Sequence, residues 1–120
     1  MARRLLYVDD EEDLRTLVTM HLSLEGYEVE TASDGDAAIA MLKSKPFDIV
    51  LLDVYMPKMN GIQVLQYIKK NNMNTRLIML TGSNNPYIAN ECARLGAQGY
   101  LSKPYNFHEL IDSIDRVMVG

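Results

Sequence analysis

The sequence predicts an α/β fold built on a doubly wound, five-stranded parallel sheet with helices on both faces. Five short apolar runs alternate along the 120 residues with stretches of helical periodicity. Three runs, Leu5–Val8, Ile49–Leu52 and Leu77–Leu80, are continuously apolar, which is typical of strands that are buried on both faces. Because the connecting segments are short, successive βα units are the simplest arrangement.

Each apolar run predicts one strand. The predicted strands are, in chain order, Arg4–Val8, Tyr27–Ala32, Phe47–Leu52, Arg76–Leu80 and Gly99–Ser102. In the second strand Tyr27, Val29 and Thr31 alternate with Glu28 and Glu30, and this period of two favours a half-exposed strand at a sheet edge. The pattern by itself leaves the order of the strands open.

A helix is predicted after each strand, because apolar residues recur there at intervals of three and four. Asn85-Pro86 is typical of a helix start, and Asn106 with Glu109 three residues later resembles a capping box. Glycines are expected to end the first and fourth helices, at Gly26 and Gly96.

Composition limits the possible functions. The length suits one domain, residues 1–120. A net charge of −4 argues against a surface that contacts nucleic acid directly, and no apolar run is long enough to span a membrane. The single cysteine, Cys92, lies on an apolar helix stripe and excludes an internal disulfide, which favours a reducing, cytoplasmic location.

Polar side chains close four of the five predicted strands. Asp9-Asp10 follows the first strand, Asp53 the third, Thr81 the fourth, and Lys103 lies just after the fifth. In a doubly wound sheet the carboxyl ends of the strands form the binding edge. Three carboxylates, a hydroxyl and an ammonium are therefore expected to converge there.

Such an acidic cluster predicts a magnesium site. At ~5 Å and an effective dielectric of ~20, each pair of carboxylates repels by about 3 kcal/mol, so either one proton is retained or a cation binds. Oxygen ligands without histidine or thiol select a hard ion such as Mg2+. Acids combined with one lysine are typical of phosphoryl transfer, which makes Asp53 the candidate acceptor.

Each of these residues has a simpler explanation when it is taken alone. Asp9 or Asp10 is a good N-cap for the first helix, Lys103 suits a solvated surface, and Thr81 is a common strand residue. Asp53 is not explained as a cap, because the next helix is expected to begin several residues later. The convergence at four strand ends is what favours a functional site.

These motifs together resemble the receiver domain of bacterial two-component response regulators, over essentially the whole chain. Asp9-Asp10 matches the family's metal-binding pair, and Asp53–Gly61 matches the segment that begins at its phosphoacceptor aspartate. Thr81-Gly82 matches the switch hydroxyl and the small residue after it. Tyr100 lies three residues before Lys103-Pro104, as the family's switch aromatic does.

The resemblance implies both a topology and a metal site. It implies the strand order 2-1-3-4-5 of the flavodoxin-like fold, and a cis peptide bond before Pro104. It also implies that Mg2+ is bound directly by Asp10 and Asp53, mainly through water by Asp9, and by the backbone carbonyl of Tyr55.

The resemblance further implies a signalling role, with no catalysis beyond the domain's own phosphorylation and dephosphorylation. Asp53 would take a phosphoryl group from a sensor histidine kinase or a histidine phosphotransfer protein. Lys103 and Thr81 would then bind phosphoryl oxygens, and Tyr100 would turn inward. The surface of helix four, strand five and helix five would thereby change its preference for an output domain or partner protein.

At the site the sequence departs from the family pattern at Tyr55, and an alternative function remains open. Tyr55 is bulkier than the common occupants of its position, so we expect it to alter dephosphorylation, with Ser83 lining the other side. The alternative function is a receiver-like scaffold that acts by protein binding without phosphorylation.

A haloacid-dehalogenase-type phosphatase is disfavoured, since Asp9-Asp10-Glu11 lacks its Asp-x-Asp pattern. A flavin binder is disfavoured because acids after the first strand would repel its phosphate.

Overall fold

A computed structural model describes residues 3–56, 59–82 and 85–119. The strands are β1 (Arg4–Val8), β2 (Glu28–Ala32), β3 (Ile49–Asp53), β4 (Arg76–Thr81) and β5 (Gly99–Ser102). The helices are α1 (Glu12–Leu24), α2 (Gly35–Ser44), α3 (Gly61–Lys70), α4 (Pro86–Arg94) and α5 (Phe107–Val119). All strand pairs are parallel, in the order β2-β1-β3-β4-β5. The α/β class and the implied flavodoxin-like order are both confirmed.

Helices cover both faces of the sheet, and side chains of successive strand residues alternate between two cores. On one face Val50 and Leu52 pack in a cluster that includes residues of α2, α3 and α4, among them the buried Cys92. On the other face Ile49 and Leu51 pack in a cluster that includes residues of α1 and α5. All five residues of β3 are buried, whereas β2 is mostly half-buried, as predicted for an edge strand.

The predicted strand ends are displaced by one or two residues in three strands. β2 begins at Glu28 because the Tyr27 N–H bonds to the Leu22 carbonyl and closes α1 instead. β3 begins at Ile49 rather than Phe47 and extends to Asp53, and β4 extends to Thr81. Asp53 and Thr81 thus belong to the strands themselves, so hydrogen bonds between strands fix their backbone.

The predicted helix ends are confirmed. Asn85 accepts the Tyr87 N–H as the N-cap of α4, and Asn106 and Glu109 exchange the two hydrogen bonds of a capping box. Gly26 and Gly96 have φ angles of 96° and 101°, the left-handed conformation that glycine adopts most readily. Within the described ranges, no helix is both long enough and apolar enough to cross a bilayer.

Candidate functional site

The register of the sheet brings the predicted acidic residues together. β1 and β3 pair so that Val8 lies beside Leu52, and one further residue along each strand places Asp9 next to Asp53. The side chains of Asp9 and Asp53 share the sheet face covered by α1 and α5, because each lies two residues beyond a residue of that core. The carboxyl edge of the sheet therefore carries the acids, as predicted.

The three carboxylates form one cluster with unequal exposure. Asp9 is fully buried and Asp53 is 5% exposed, whereas Asp10 lies at the surface. One oxygen from each of the three residues lies within 4.8 Å of the other two. A set of carboxylate oxygens open to solvent on one side fits a hard cation, so this cluster is able to hold a metal ion.

Lys103 lies within the cluster. Its Nζ atom is 2.7 Å from Asp9 Oδ2, 3.1 Å from Asp53 Oδ2 and 3.8 Å from Glu11 Oε1. From the sequence we expect a retained proton or a bound cation to relieve the carboxylate repulsion. In the folded chain the ammonium of Lys103 compensates part of this negative charge and leaves the cluster anionic.

Burial and ion pairing set the protonation of this pair. Burial raises the pKa of Asp53 above its ordinary value of 3.8, and the nearby Lys103 ammonium opposes that rise. Burial would lower the pKa of Lys103, but its hydrogen bonds and attraction to Asp9 and Asp53 outweigh burial and raise that pKa. Lys103 is therefore a cation at neutral pH.

Two tyrosines at the site were not predicted from the sequence. Tyr7 donates a hydrogen bond of 2.9 Å to Asp9 Oδ2, and its oxygen lies 2.6 Å from the Tyr105 oxygen. The sequence feature that could have identified Tyr7 is a tyrosine within a strand predicted to be buried, because a buried phenol must find a polar partner. Asp9, two residues along the strand, lies on the same face and is that partner.

The backbone around Asp53 is closely packed. The Tyr55 N–H donates to Asp53 Oδ1 at 3.3 Å, so the Tyr55 backbone lies beside the acidic cluster, while Tyr55 as a whole is 53% exposed. Gly61 approaches the Asp53 carbonyl so closely that a Cβ atom there would lie 2.2 Å from the oxygen. A side chain at position 61 would therefore displace the candidate acceptor.

Thr81 and Tyr100 lie on adjacent strands and contact each other. Thr81 is fully buried at the end of β4, and Tyr100 is half-buried in β5. Burial raises the pKa of Tyr100, and a hydrogen bond with the Thr81 side chain opposes this rise. The two residues that are expected to act as a switch are therefore in contact, and the Thr81 carbonyl accepts the backbone N–H of Lys103 at 2.7 Å.

A cleft of about 430 Å³ opens beside Lys103 and is lined by Glu11, Leu14, Lys103, Pro104 and Tyr105. The Lys103–Pro104 peptide bond at this cleft is cis, as the resemblance implies. Ser83, which is expected to line the site opposite Tyr55, lies outside the described residues, as do Pro57 and Lys58 of the matched Asp53–Gly61 segment.

Comparison with known sequences identifies relatives over nearly the whole chain. Residues 5–115 match the family described as the response regulator receiver domain. The transcriptional regulatory protein CpxR homolog of Haemophilus influenzae is 41% identical over 115 residues, which are 96% of this chain and 50% of that protein. The alkaline phosphatase synthesis transcriptional regulatory protein PhoP of Bacillus subtilis is 34% identical over 110 residues, 92% of this chain and 46% of PhoP. The chain spans about half the length of these curated relatives.

Solved structures share the fold. The chemotaxis protein CheY4 of Vibrio cholerae superimposes with a TM-score of 0.92 at 35% identity, covering 98% of this chain and 99% of that one. The response regulator TrrA of Thermotoga maritima, solved in complex with Mg(2+)-BeF, superimposes with a TM-score of 0.85 at 34% identity, covering 96% and 98% of the two chains.

Proposed function

The chain belongs to the response regulator receiver domain family, and from that premise we propose that Asp53 is its phosphoacceptor and that the reaction depends on Mg2+. One observation carries this proposal. Asp53 is a nearly buried carboxylate that lies 3.1 Å from the Lys103 ammonium and within 4.8 Å of two other carboxylates. This combination of one cation and three acids suits a group that gains and loses a charged phosphoryl.

The transfer is a substitution at phosphorus. A carboxylate oxygen of Asp53 attacks the phosphorus of a phosphohistidine, and an acyl phosphate forms. The P–N bond breaks, and its electron pair returns to the imidazole nitrogen, which is then free to take a proton from solvent. Asp53 attacks as a carboxylate, and the nearby Lys103 ammonium favours this ionised form.

The acidic cluster fits Mg2+ by its all-oxygen ligands. In this proposal Asp10, Asp53 and the Tyr55 backbone carbonyl bind the ion, and Asp9 contributes mainly through water. The burial of Asp9 and the exposure of Asp10 support this division. The ion, when bound, neutralises charge on the transferring phosphoryl group.

The readout uses residues at the ends of β4 and β5. Lys103 pairs with one oxygen of the product phosphoryl group, and the Thr81 hydroxyl bonds another. Tyr100 then turns inward into the space that the movement of Thr81 opens, and the α4-β5-α5 surface changes the partner that it prefers. The existing contact between Thr81 and Tyr100 supports this coupling, because a change at either side chain must alter the other.

The donor in this proposal is a cytoplasmic sensor histidine kinase or histidine phosphotransfer protein, and the receiver of the signal is an output domain or partner protein. Receiver domains of response regulators are signalling domains that interact with such kinases and outputs. The cleft beside Lys103 adjoins Asp53 through that lysine, so a phosphohistidine-bearing partner seated there would be next to the acceptor.

Intact-mass spectrometry with acetyl phosphate and Mg2+ tests the proposal. The wild-type chain is expected to gain one phosphoryl group, and this gain is expected to disappear without Mg2+ and in Asp53→Ala. Asp115→Ala, which removes an exposed aspartate near the far end of α5, is the matched control and should label normally. Labelling of Asp53→Ala at the wild-type rate would refute the proposal, and a wild-type chain that never labels would favour a scaffold that acts by binding alone.

A further inference from the structure

The Asp9 carboxylate accepts hydrogen bonds from three residues. Its Oδ1 atom accepts the Glu11 N–H at 3.0 Å. Its Oδ2 atom accepts two donors, the Tyr7 hydroxyl at 2.9 Å and the Lys103 ammonium at 2.7 Å. Tyr7 and Lys103 thus share a single oxygen of a fully buried carboxylate.

The hydroxyls of Tyr7 and Tyr105 form a chain of hydrogen bonds in which all donors point toward Asp9. A phenol carries one proton, and the Tyr7 proton is committed to Asp9, because an ionised carboxylate can only accept. At an oxygen–oxygen distance of 2.6 Å, Tyr105 must therefore be the donor to Tyr7. The chain runs from Tyr105 through Tyr7 to Asp9, and each hydroxyl that accepts a bond becomes a stronger donor.

Tyr7 is more deeply buried than Lys103. Tyr7 is fully buried in β1, between two neighbouring strands and within the core that α1 and α5 cover. The Lys103 side chain is 17% exposed and follows the end of β5 on a flexible aliphatic stem. The two donors to Asp9 Oδ2 therefore differ in their freedom to leave it.

We propose that Tyr7 is a positioning residue whose hydroxyl keeps Asp9 hydrogen-bonded while Lys103 transfers to the phosphoryl group. This inference rests on the proposed function of Asp53 and Lys103. When Lys103 moves to the phosphoryl oxygen, Oδ2 of the buried Asp9 loses one donor and retains the phenol. Without the phenol, the same movement would leave that oxygen with no protein donor among the contacts described here, and a buried acceptor that loses its protein partners is costly.

The position of Tyr105 extends this role. Tyr105 follows Lys103 by two residues, so its hydroxyl ties the segment that carries the lysine back to β1. Removing the Tyr105 hydroxyl should weaken the Tyr7 bond to Asp9 without abolishing it. Its effect is expected in the same direction as that of Tyr7 and smaller.

Two binding measurements on the full chain separate this role from a general loss of structure. The first is the affinity for Mg2+ alone, followed by NMR. The second is the affinity for beryllofluoride at saturating Mg2+, followed by fluorine NMR, since beryllofluoride is a phosphoryl analogue that Lys103 is expected to contact. The variants are Tyr7→Phe, Tyr105→Phe and, as a matched control, Tyr67→Phe in the second half of α3.

Tyr7→Phe is expected to weaken beryllofluoride binding about tenfold, equivalent to about 1.4 kcal/mol, and to change Mg2+ affinity less than about twofold. The reason for the split is that Lys103 still donates to Asp9 when no phosphoryl analogue is present. The Lys103 side-chain NMR signal should shift with beryllofluoride in the wild type and shift less in Tyr7→Phe. Tyr67→Phe should match the wild type in both affinities.

Unchanged beryllofluoride affinity in Tyr7→Phe would overturn the inference, and so would an equal loss of both affinities. If Tyr7→Phe does not fold, Tyr105→Phe serves as the test, because Tyr105 is only part-buried and its variant is expected to fold. The same comparison of beryllofluoride affinity with Mg2+ affinity then applies. The proposed function fails separately, if wild-type Asp53 accepts no phosphoryl group or if Lys103 does not respond to beryllofluoride in the wild type.

Discussion

The Nζ atom of Lys103 lies 3.1 Å from Oδ2 of Asp53, although 50 residues separate the two along the chain. The lysine is thus already bonded to the candidate acceptor before any phosphoryl group arrives. Since Asp9 holds the same ammonium at 2.7 Å, the proposed transfer of Lys103 to a phosphoryl group would draw it away from a carboxylate pair. In the proposed function, these resting ion pairs would compete with the bond between Lys103 and the phosphoryl group.

Replacing Asp10 with Asn is expected to weaken Mg2+ binding at least 10-fold, because it removes a charged ligand from the cluster. Removing one of three repelling charges should also raise the melting temperature of the metal-free protein. The rise should be only a few degrees, since Asp10 is exposed and Lys103 already neutralises its neighbours. Calorimetry with Asp115→Asn as the control measures this effect, and a metal-free Asp10→Asn that melts below the wild type would show that the repulsion is not significant.

As the pH is lowered, the affinity for Mg2+ should begin to fall at a higher pH than it would for a site whose aspartates had ordinary pKa values. Burial raises the Asp53 pKa above 3.8, so protons compete with the ion at higher pH. Between pH 3.8 and the raised pKa, Asp53 therefore binds more protons in the folded metal-free protein than in the unfolded chain. Its contribution to the free energy of unfolding falls as the pH rises through that range. Titrations of Mg2+ from pH 8 downward test this, and an affinity that stays constant to about pH 4 would contradict it.

Tyr55→Asn should shorten the lifetime of the acyl phosphate severalfold. Hydrolysis requires a water in line behind the phosphorus. The Tyr55 backbone N–H donates to Asp53 Oδ1, and the Tyr55 ring is expected to crowd the approach of that water. Loss of phosphorylated mass after rapid removal of the donor gives the half-life. Tyr87→Asn, at a tyrosine of α4 that is 80% exposed, is the matched control. An unchanged or longer half-life in Tyr55→Asn would exclude Tyr55 from control of dephosphorylation.

Thr81→Val should separate chemistry from signalling. The valine keeps the branched shape that a fully buried position requires, but it lacks the hydroxyl. We expect Asp53 still to accept phosphate while Tyr100 no longer responds. Converting the switch from about 1:99 to 99:1 requires about 5.5 kcal/mol, and charge-assisted hydrogen bonds contribute roughly 1.5–3 kcal/mol each, so the loss of one is decisive.

Side-chain NMR of Tyr100, with and without beryllofluoride and Mg2+, measures this coupling in the wild type and in Thr81→Val. Mass spectrometry on the same samples with acetyl phosphate checks that the variant is still labelled. A Tyr100 response in Thr81→Val as large as that of the wild type would show that the hydroxyl does not couple the site to β5.

The sequence by itself determined the elements and the edge of the sheet on which the site lies. Periodicity identified all five strands and five helices, and parallel strands necessarily present their carboxyl ends together. Asp9, Asp53 and Lys103 were therefore predicted as neighbours from residues that close strands. The strand order was predicted only from the resemblance to receiver domains. The hydrophobic pattern of a strand indicates which of its faces is buried, but it does not indicate which strand lies next to it.

Tertiary structure decided how the charges at that edge are compensated. Asp9 and Asp10 are adjacent in sequence, yet one is fully buried and the other exposed, because the chain leaves the sheet between them. The pairing of Tyr7 with Tyr105 joins residues 98 positions apart, and the resting bonds of Lys103 to Asp9 and Asp53 span 94 and 50 positions. Hydrogen bonds depend on distances of a few tenths of an ångström, which exist only once β1, β3 and the segment after β5 have packed against each other.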